Sequence, residues 1–259
     1  MVFYLIVGWI ALPLDAELLR PGEGELTAAY RLLERVFNNH GRILDGVIGD
    51  AEYLSAPFFN LCTEHQKYAA ATLKDNNPAL LAEAQALAAQ IQPVIHETPC
   101  GSASYWDIEG IDINPEMKKP LRVLLAIEPP PPLPPTPPSQ LEPKNNAWAT
   151  TAPLSALPSH HFAQLGHRRW DIENRVFNIL VNQWGLDHCY KHHPTAILNF
   201  ILTLFLAYLL VQTFRSRNLK PQLQRLFSTL ISLADELRSS LAVATSIAPW
   251  VRTQTPRPP

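Results

Sequence analysis

Eight of the ten residues from Pro129 to Pro138 are proline, and no other feature of the chain restricts its fold so sharply. Proline lacks a backbone N–H and fixes φ, so no helix and no central strand passes through such a block. Regular elements must be complete by Glu128 or begin after the polar stretch that ends at Asn146. The block reads as a polyproline II spacer or exposed loop, with a ligand for an aromatic groove as the alternative.

The rest has the composition of a folded chain. Of 259 residues, 47% are hydrophobic and 17% charged, which argues against disorder throughout. The length suits one large domain or two small ones. The net charge of −2 is unevenly spread: residues 1–159 carry 10 basic and 18 acidic side chains, and residues 160–259 carry 11 and 5. A basic C-terminal portion suits a polyanion, although ordinary unevenness explains it equally well. Cys62, Cys100 and Cys189 form no CxxC pair. That disfavours a disulfide scaffold or a zinc ribbon and suits a reducing, cytoplasmic setting.

Residues 1–14 are rich in strand formers and have no basic residue before the apolar run, so they read as one or two buried strands rather than a signal peptide. Residues 195–214 carry no charge and are long enough, at about 30 Å of helix, either to span a bilayer or to form a core helix. Helical spacing also predicts helices over 23–38, 55–64 and 78–90, and a long one over 159–184 with Trp170, Phe177 and Leu180 on one face. Strands are predicted over 43–49, 105–112, 121–127 and 147–152. Leu223, Leu226, Leu230, Leu233 and Leu237 trace a heptad seam that suits docking on the preceding helix. Together these elements predict an α/β layer architecture.

Several chemistries lack their motifs. There is no G-x-S-x-G elbow and no phosphate loop, and Gly22-Glu23-Gly24 lacks a third glycine in dinucleotide spacing. The run His188 to His193 fits no zinc spacing and reads as a loop between helices. Asp107, Glu109 and Asp112 form a local acidic group with Asp107 and Glu109 on one strand face, and a solvated hairpin explains them equally well. Asp50 and Glu173 are more informative. Asp50 closes a strand in GVIGDAEY, where open α/β sheets present ligand groups, and Glu173 sits in HRRWDIEN on a long helix. Carboxylates in such places, if they converge, hold divalent ions that drive displacement at phosphorus; alone, each is an ordinary surface acid.

These two segments also carry a resemblance. ILDGVIGDAEYLSAPFFNLC resembles the strand and helix that hold the second catalytic Asp of DDE transposases of bacterial insertion sequences, in the insertion-sequence-four group. GHRRWDIENRVFNILVNQWGLDHCYKHHPTAILNF resembles the helix that holds their catalytic Glu. The likeness implies an RNase H-like mixed sheet flanked by helices. It implies Asp50 and Glu173 as catalytic ligands of Mg²⁺ or Mn²⁺, with the two carboxylates within roughly 8 Å. It implies that Arg168 and Arg169 contact DNA phosphates, that terminal inverted repeats and target DNA are partners, that residues 195–214 are a core helix and not a membrane span, and that a homodimer is the candidate assembly.

The resemblance is incomplete. In the group's pattern Tyr-x2-Arg-x3-Glu-x6-Lys, Arg169 and Glu173 match, whereas Gly166 and Leu180 stand at the Tyr and Lys positions. The first catalytic Asp has no clear match, and Asp15 is a poor substitute, so the expectation is a truncated transposase, inactive as it stands. The expected organisation is a core over 1–63, an insert over 64–146 with its proline-rich loop at 129–146, the second core part over 147–218, and a C-terminal helix and tail over 219–259. Two other readings compete: a membrane-anchored or protein-interaction module using helix 195–214 and the proline block, and a DNA-binding remnant that inhibits a full-length transposase.

Overall fold

The computed structural model describes residues 1–7, 10–98, 100–112, 114–130, 142–188, 190–227 and 229–253. Most of the proline block, at 131–141, therefore lies outside the described residues, as do Cys189 and the side chain of Glu173. The chain divides into two compact units, one of Leu19–Asn174 and one of Met1–Leu18 with Arg175–Pro259.

The first unit is built on a six-stranded mixed sheet. Its strands are β3 (Gly46–Gly49), β4 (Tyr68–Thr72), β5 (Val94–Thr98), β6 (Gly101–Ile111), β7 (Leu121–Glu128) and β8 (Lys144–Thr150), in the order β3-β4-β8-β7-β6-β5. Only β3 and β4 run parallel; the remaining neighbours are antiparallel. Helices α1 (Glu25–His40), α2 (Ala56–Glu64), α3 (Pro78–Ala88) and α4 (Ser159–Asp171) belong to the same unit. The arrangement is the α/β, RNase H-like one that the sequence led us to expect.

The core of this unit explains where α4 sits. Phe162 and Ala163 of α4 are fully buried with Ala103, Tyr105, Leu124, Ala126 and Trp148 of the sheet. Burying a phenylalanine of this kind contributes about 2–3 kcal/mol. Ile48 of β3 packs against the same cluster. Strand β4 is the centre of the parallel pair, and its Ala69 and Ala71 are wholly buried. The sequence carried no sign of β4, because a run of alanines lacks the alternation that marks a strand.

Asp107 overturns the reading of a solvated acidic hairpin. Its two oxygens accept from Nε and Nη2 of Arg122 at 2.6 Å each, and the guanidinium is 3% exposed. Arg122 Nη1 donates to the carbonyls of Ala152 and Leu157, and Ser159 donates to Asp107 Oδ2 at 2.6 Å. Glu109 is engaged too, accepting the Leu154 N–H at 2.6 Å. A buried pair survives only when its remaining hydrogen-bonding groups are satisfied, and here they tie the sheet to the start of α4.

In the second unit, strands β1 (Val2–Val7) and β2 (Ile10–Ala16) form a separate antiparallel hairpin. Helices α5 (Asn178–Trp184), α6 (Pro194–Arg217), α7 (Pro221–Leu226) and α8 (Leu230–Thr253) complete it. Ala16, Val176, Leu180, Leu204, Phe205, Tyr208 and Leu230 make its core. Helix α6 is long and apolar enough to cross a membrane by length and composition. The expectation of a core helix holds on one face only: Leu204, Phe205 and Tyr208 are buried, while Leu206 and Leu210 are 58% and 63% exposed.

Two periodicity readings need correction. The leucine seam is broken, because α7 ends at Leu226 and α8 starts at Leu230, so the spacing crosses a bend rather than following one helix. The expected single face of Trp170, Phe177 and Leu180 is also split: Leu180 is buried, and the other two are exposed. Between α4 and α5 the residues Ile172–Phe177 form a π-helical turn. Such a turn adds a residue to the helical repeat and rotates the face that follows it.

Candidate active site

Asp50 follows directly on β3, whose backbone is packed without slack. A Cβ on Gly46 would lie 2.7 Å from the Tyr68 carbonyl oxygen of β4, and one on Gly49 would lie 2.6 Å from Cβ of Tyr53. Only glycine permits these approaches. Asp50 then caps the short 3₁₀ turn Ala51–Tyr53, its Oδ1 accepting the Glu52 N–H at 2.9 Å. Asn76, beyond β4, donates to the Ala51 carbonyl at 2.6 Å and holds the turn down.

The neighbourhood of Asp50 is acidic. Tyr53 donates its hydroxyl to Glu25 Oε1 at 3.3 Å. Burial, and then the carboxylates of Glu25, Asp50 and Glu52, push the Tyr53 phenol well above its ordinary value, so it stays a neutral donor. Oδ2 of Asp50 has no hydrogen bond among the described residues, leaving a hard oxygen of the kind that Mg²⁺ and Mn²⁺ prefer. Among the described residues, no three His, Cys, Asp or Glu side chains are grouped to hold a metal ion.

Helix α4 carries the second set of residues. Arg168 and Arg169 stand in its last turn, both half-buried, and Glu173 lies in the π-helical turn that continues it. Contacts of α4 lie on several strands: His160 on His96 of β5, Ser159 on Asp107 of β6, His167 on Glu128 of β7, and Gly166 on Trp148 of β8. The helix also packs against β3. Asp50 and α4 are thus brought into one unit and around one core.

The Glu128 network was not legible in the sequence. Glu128 accepts from Tyr105 at 3.3 Å, Asn146 at 2.7 Å and His167 at 2.7 Å, partners 18 to 39 residues away. Burial raises its carboxyl, but the bond and charge of His167, with the bonds of Asn146 and Tyr105, outweigh this and leave it below its ordinary value. The indole of Trp148 meets the His167 ring edge-on at 5.3 Å. Only adjacency to the proline block distinguished Glu128 beforehand.

The first unit thus joins a mixed sheet, an aspartate at the end of its parallel strand β3 and a helix that leads on to Glu173. The model of the transposase DDE domain family matches residues 12–210, and the chain belongs to that family. No curated protein matches the chain. Membership makes transposition of mobile DNA the class of function and DNA the class of partner, and the family typically works with divalent metal ions.

Proposed function

We propose that this chain is a DDE transposase of the insertion-sequence-four group, in which Asp50 and Glu173 are metal ligands and Arg168 and Arg169 hold DNA phosphates. The observation that carries this reading is the course of α4. It starts at β5, the far edge of the sheet, and packs against β3, the edge that ends in Asp50. From His160 to Glu173 a helix advances about 20 Å, against about 24 Å for five strand spacings, a reach that supports a glutamate serving with Asp50.

Each residue then has a task. Asp50 offers the oxygen left over from its turn bond, held in place by Asn76 and the two glycine contacts. Glu173 supplies the second carboxylate. A divalent ion held by these groups supplies Lewis-acid activation for displacement at phosphorus. Arg168 and Arg169 position the DNA backbone without reading sequence. The DNA expected there is the terminal inverted repeats and the target, and the active assembly is a homodimer. Asp50 and Glu173 would be two of the three carboxylates that the family's chemistry uses.

The test is Mn²⁺ binding to the full chain, read by paramagnetic resonance, beside Asp50→Asn and Glu173→Gln. Each variant is expected to lose at least tenfold in affinity while keeping its melting temperature. Equal binding by the wild type and both variants sinks the reading. A companion binding assay on inverted-repeat DNA with Mg²⁺ is expected to show retention that weakens as salt rises.

A further inference from the structure

Three imidazoles meet where β5 touches the start of α4. The rings of His96 and His160 stack with planes 19° apart and centroids at 5.0 Å. His161 lies against His160 at 4.0 Å. Among the described residues, the nearby acids are engaged elsewhere. On β6, Tyr105 comes within 6.2 Å of His96 but turns its hydroxyl to Glu128. Glu128 of β7 takes His167, on the same helix as His160. Asp107 of β6, which holds Ser159 next to His160, is neutralised by Arg122 of β7. Glu97, adjacent to His96 on β5, accepts from Ser102, and strand alternation puts it on the other face.

The helix end adds to this. Helix α4 starts after Pro158, with no side-chain cap and no acid in its first turn. The positive end of a helix disfavours a cation placed there. Two histidines in that turn, with a third stacked on them, therefore form an arrangement that tolerates neutral rings and resists charged ones.

We propose that His96, His160 and His161 form a proton-operated latch between β5 and the first turn of α4, closed while the His160 ring is neutral and released when it takes up a proton. Burial, and then the charges of His161 and His96, hold the His160 imidazole below its ordinary value, in keeping with that geometry. The direction follows from linkage. A histidine that protonates less readily folded than unfolded adds stability above about pH 6.5, and that stability is lost as the pH falls through the lower, folded value. Acid therefore loosens the first turn of α4, while the third turn keeps its contact from His167 to Glu128.

The latch does not depend on the metal and DNA roles proposed above, and its test reads neither. Hydrogen exchange of the full chain is followed at pH 7.5 and 5.5, corrected for intrinsic exchange, over residues 94–98 and 158–164. Protection there is expected to fall severalfold at the lower pH, while β7 is unchanged. His160→Gln is expected to abolish the dependence. Should that variant fail to fold, the exposed His161→Gln serves in its place and must weaken the dependence. Protection that is the same at both pH values, or a dependence that survives both variants, overturns the latch.

Discussion

Gly166 of α4 and Trp148 of β8 leave no room between them: a Cβ on the glycine would lie 2.2 Å from the indole Nε1 and 2.3 Å from Cε2. In the insertion-sequence-four reading proposed above, the pattern's tyrosine falls at this position, and here the buried indole fills the space a side chain would need. Gly166→Ala is expected to cost about 1–3 kcal/mol through overpacking, because Trp148 is locked among buried residues. Urea denaturation checks the size. A Trp148→Leu background, which opens the space, should recover part of the loss.

The Asp107–Arg122 pair predicts a sharp asymmetry between single and double changes. Arg122→Ala strands a buried carboxylate and is expected to destabilise the unit by about 3–5 kcal/mol. Replacing both partners with apolar residues of similar size, as in Arg122→Met with Asp107→Leu, should cost much less. A double-mutant cycle of unfolding free energies is the measurement, and additive single effects would show that the two side chains do not act as a pair.

Glu128 sets an acid limit. Its folded carboxyl titrates below the ordinary value, so it contributes stability above about pH 4.5 and loses that contribution as the pH falls through the folded value. Acid unfolding of Glu128→Gln should lack this component. The variant should also release His167 from its carboxylate partner, visible as a shift of its imidazole resonances.

Arg169 is expected to act on DNA affinity rather than stability. Arg169→Gln should weaken binding to all sequences alike and reduce the slope of log affinity against log salt by about one. Titrations at several salt concentrations give that slope directly, and an unchanged slope would remove Arg169 from the phosphate contacts.

What could be read from the sequence was what local pattern encodes. Helix α1 shows its apolar face at spacings of three and four, and its buried residues Leu33 and Phe37 are among those the spacing selected. Asp50 was found because a strand, a turn and an acid are consecutive. Strand β5 escaped because Val94 and Ile95 are both exposed at the sheet edge, so no alternation marks it. The Asp107–Arg122 pair escaped because charge in a sequence carries no sign of its burial. The π turn at Glu173 arises in the packed helix and leaves no mark in residue type.

The way β3 is joined to the rest of the sheet has a kinetic consequence. Strands β5, β6 and β7 follow one another along the chain, so their ladder closes through short loops. The pair β3–β4 reaches that ladder only through β8, in contacts such as Thr150 Oγ1 to the Ala69 carbonyl, 81 residues apart. Closing so long a stretch is slow, because its entropy is lost before the contacts repay it. The strand that presents Asp50 is therefore among the last parts of the sheet to lock into place, and a chain emerging from the ribosome holds its aspartate unplaced until residue 150 has been made.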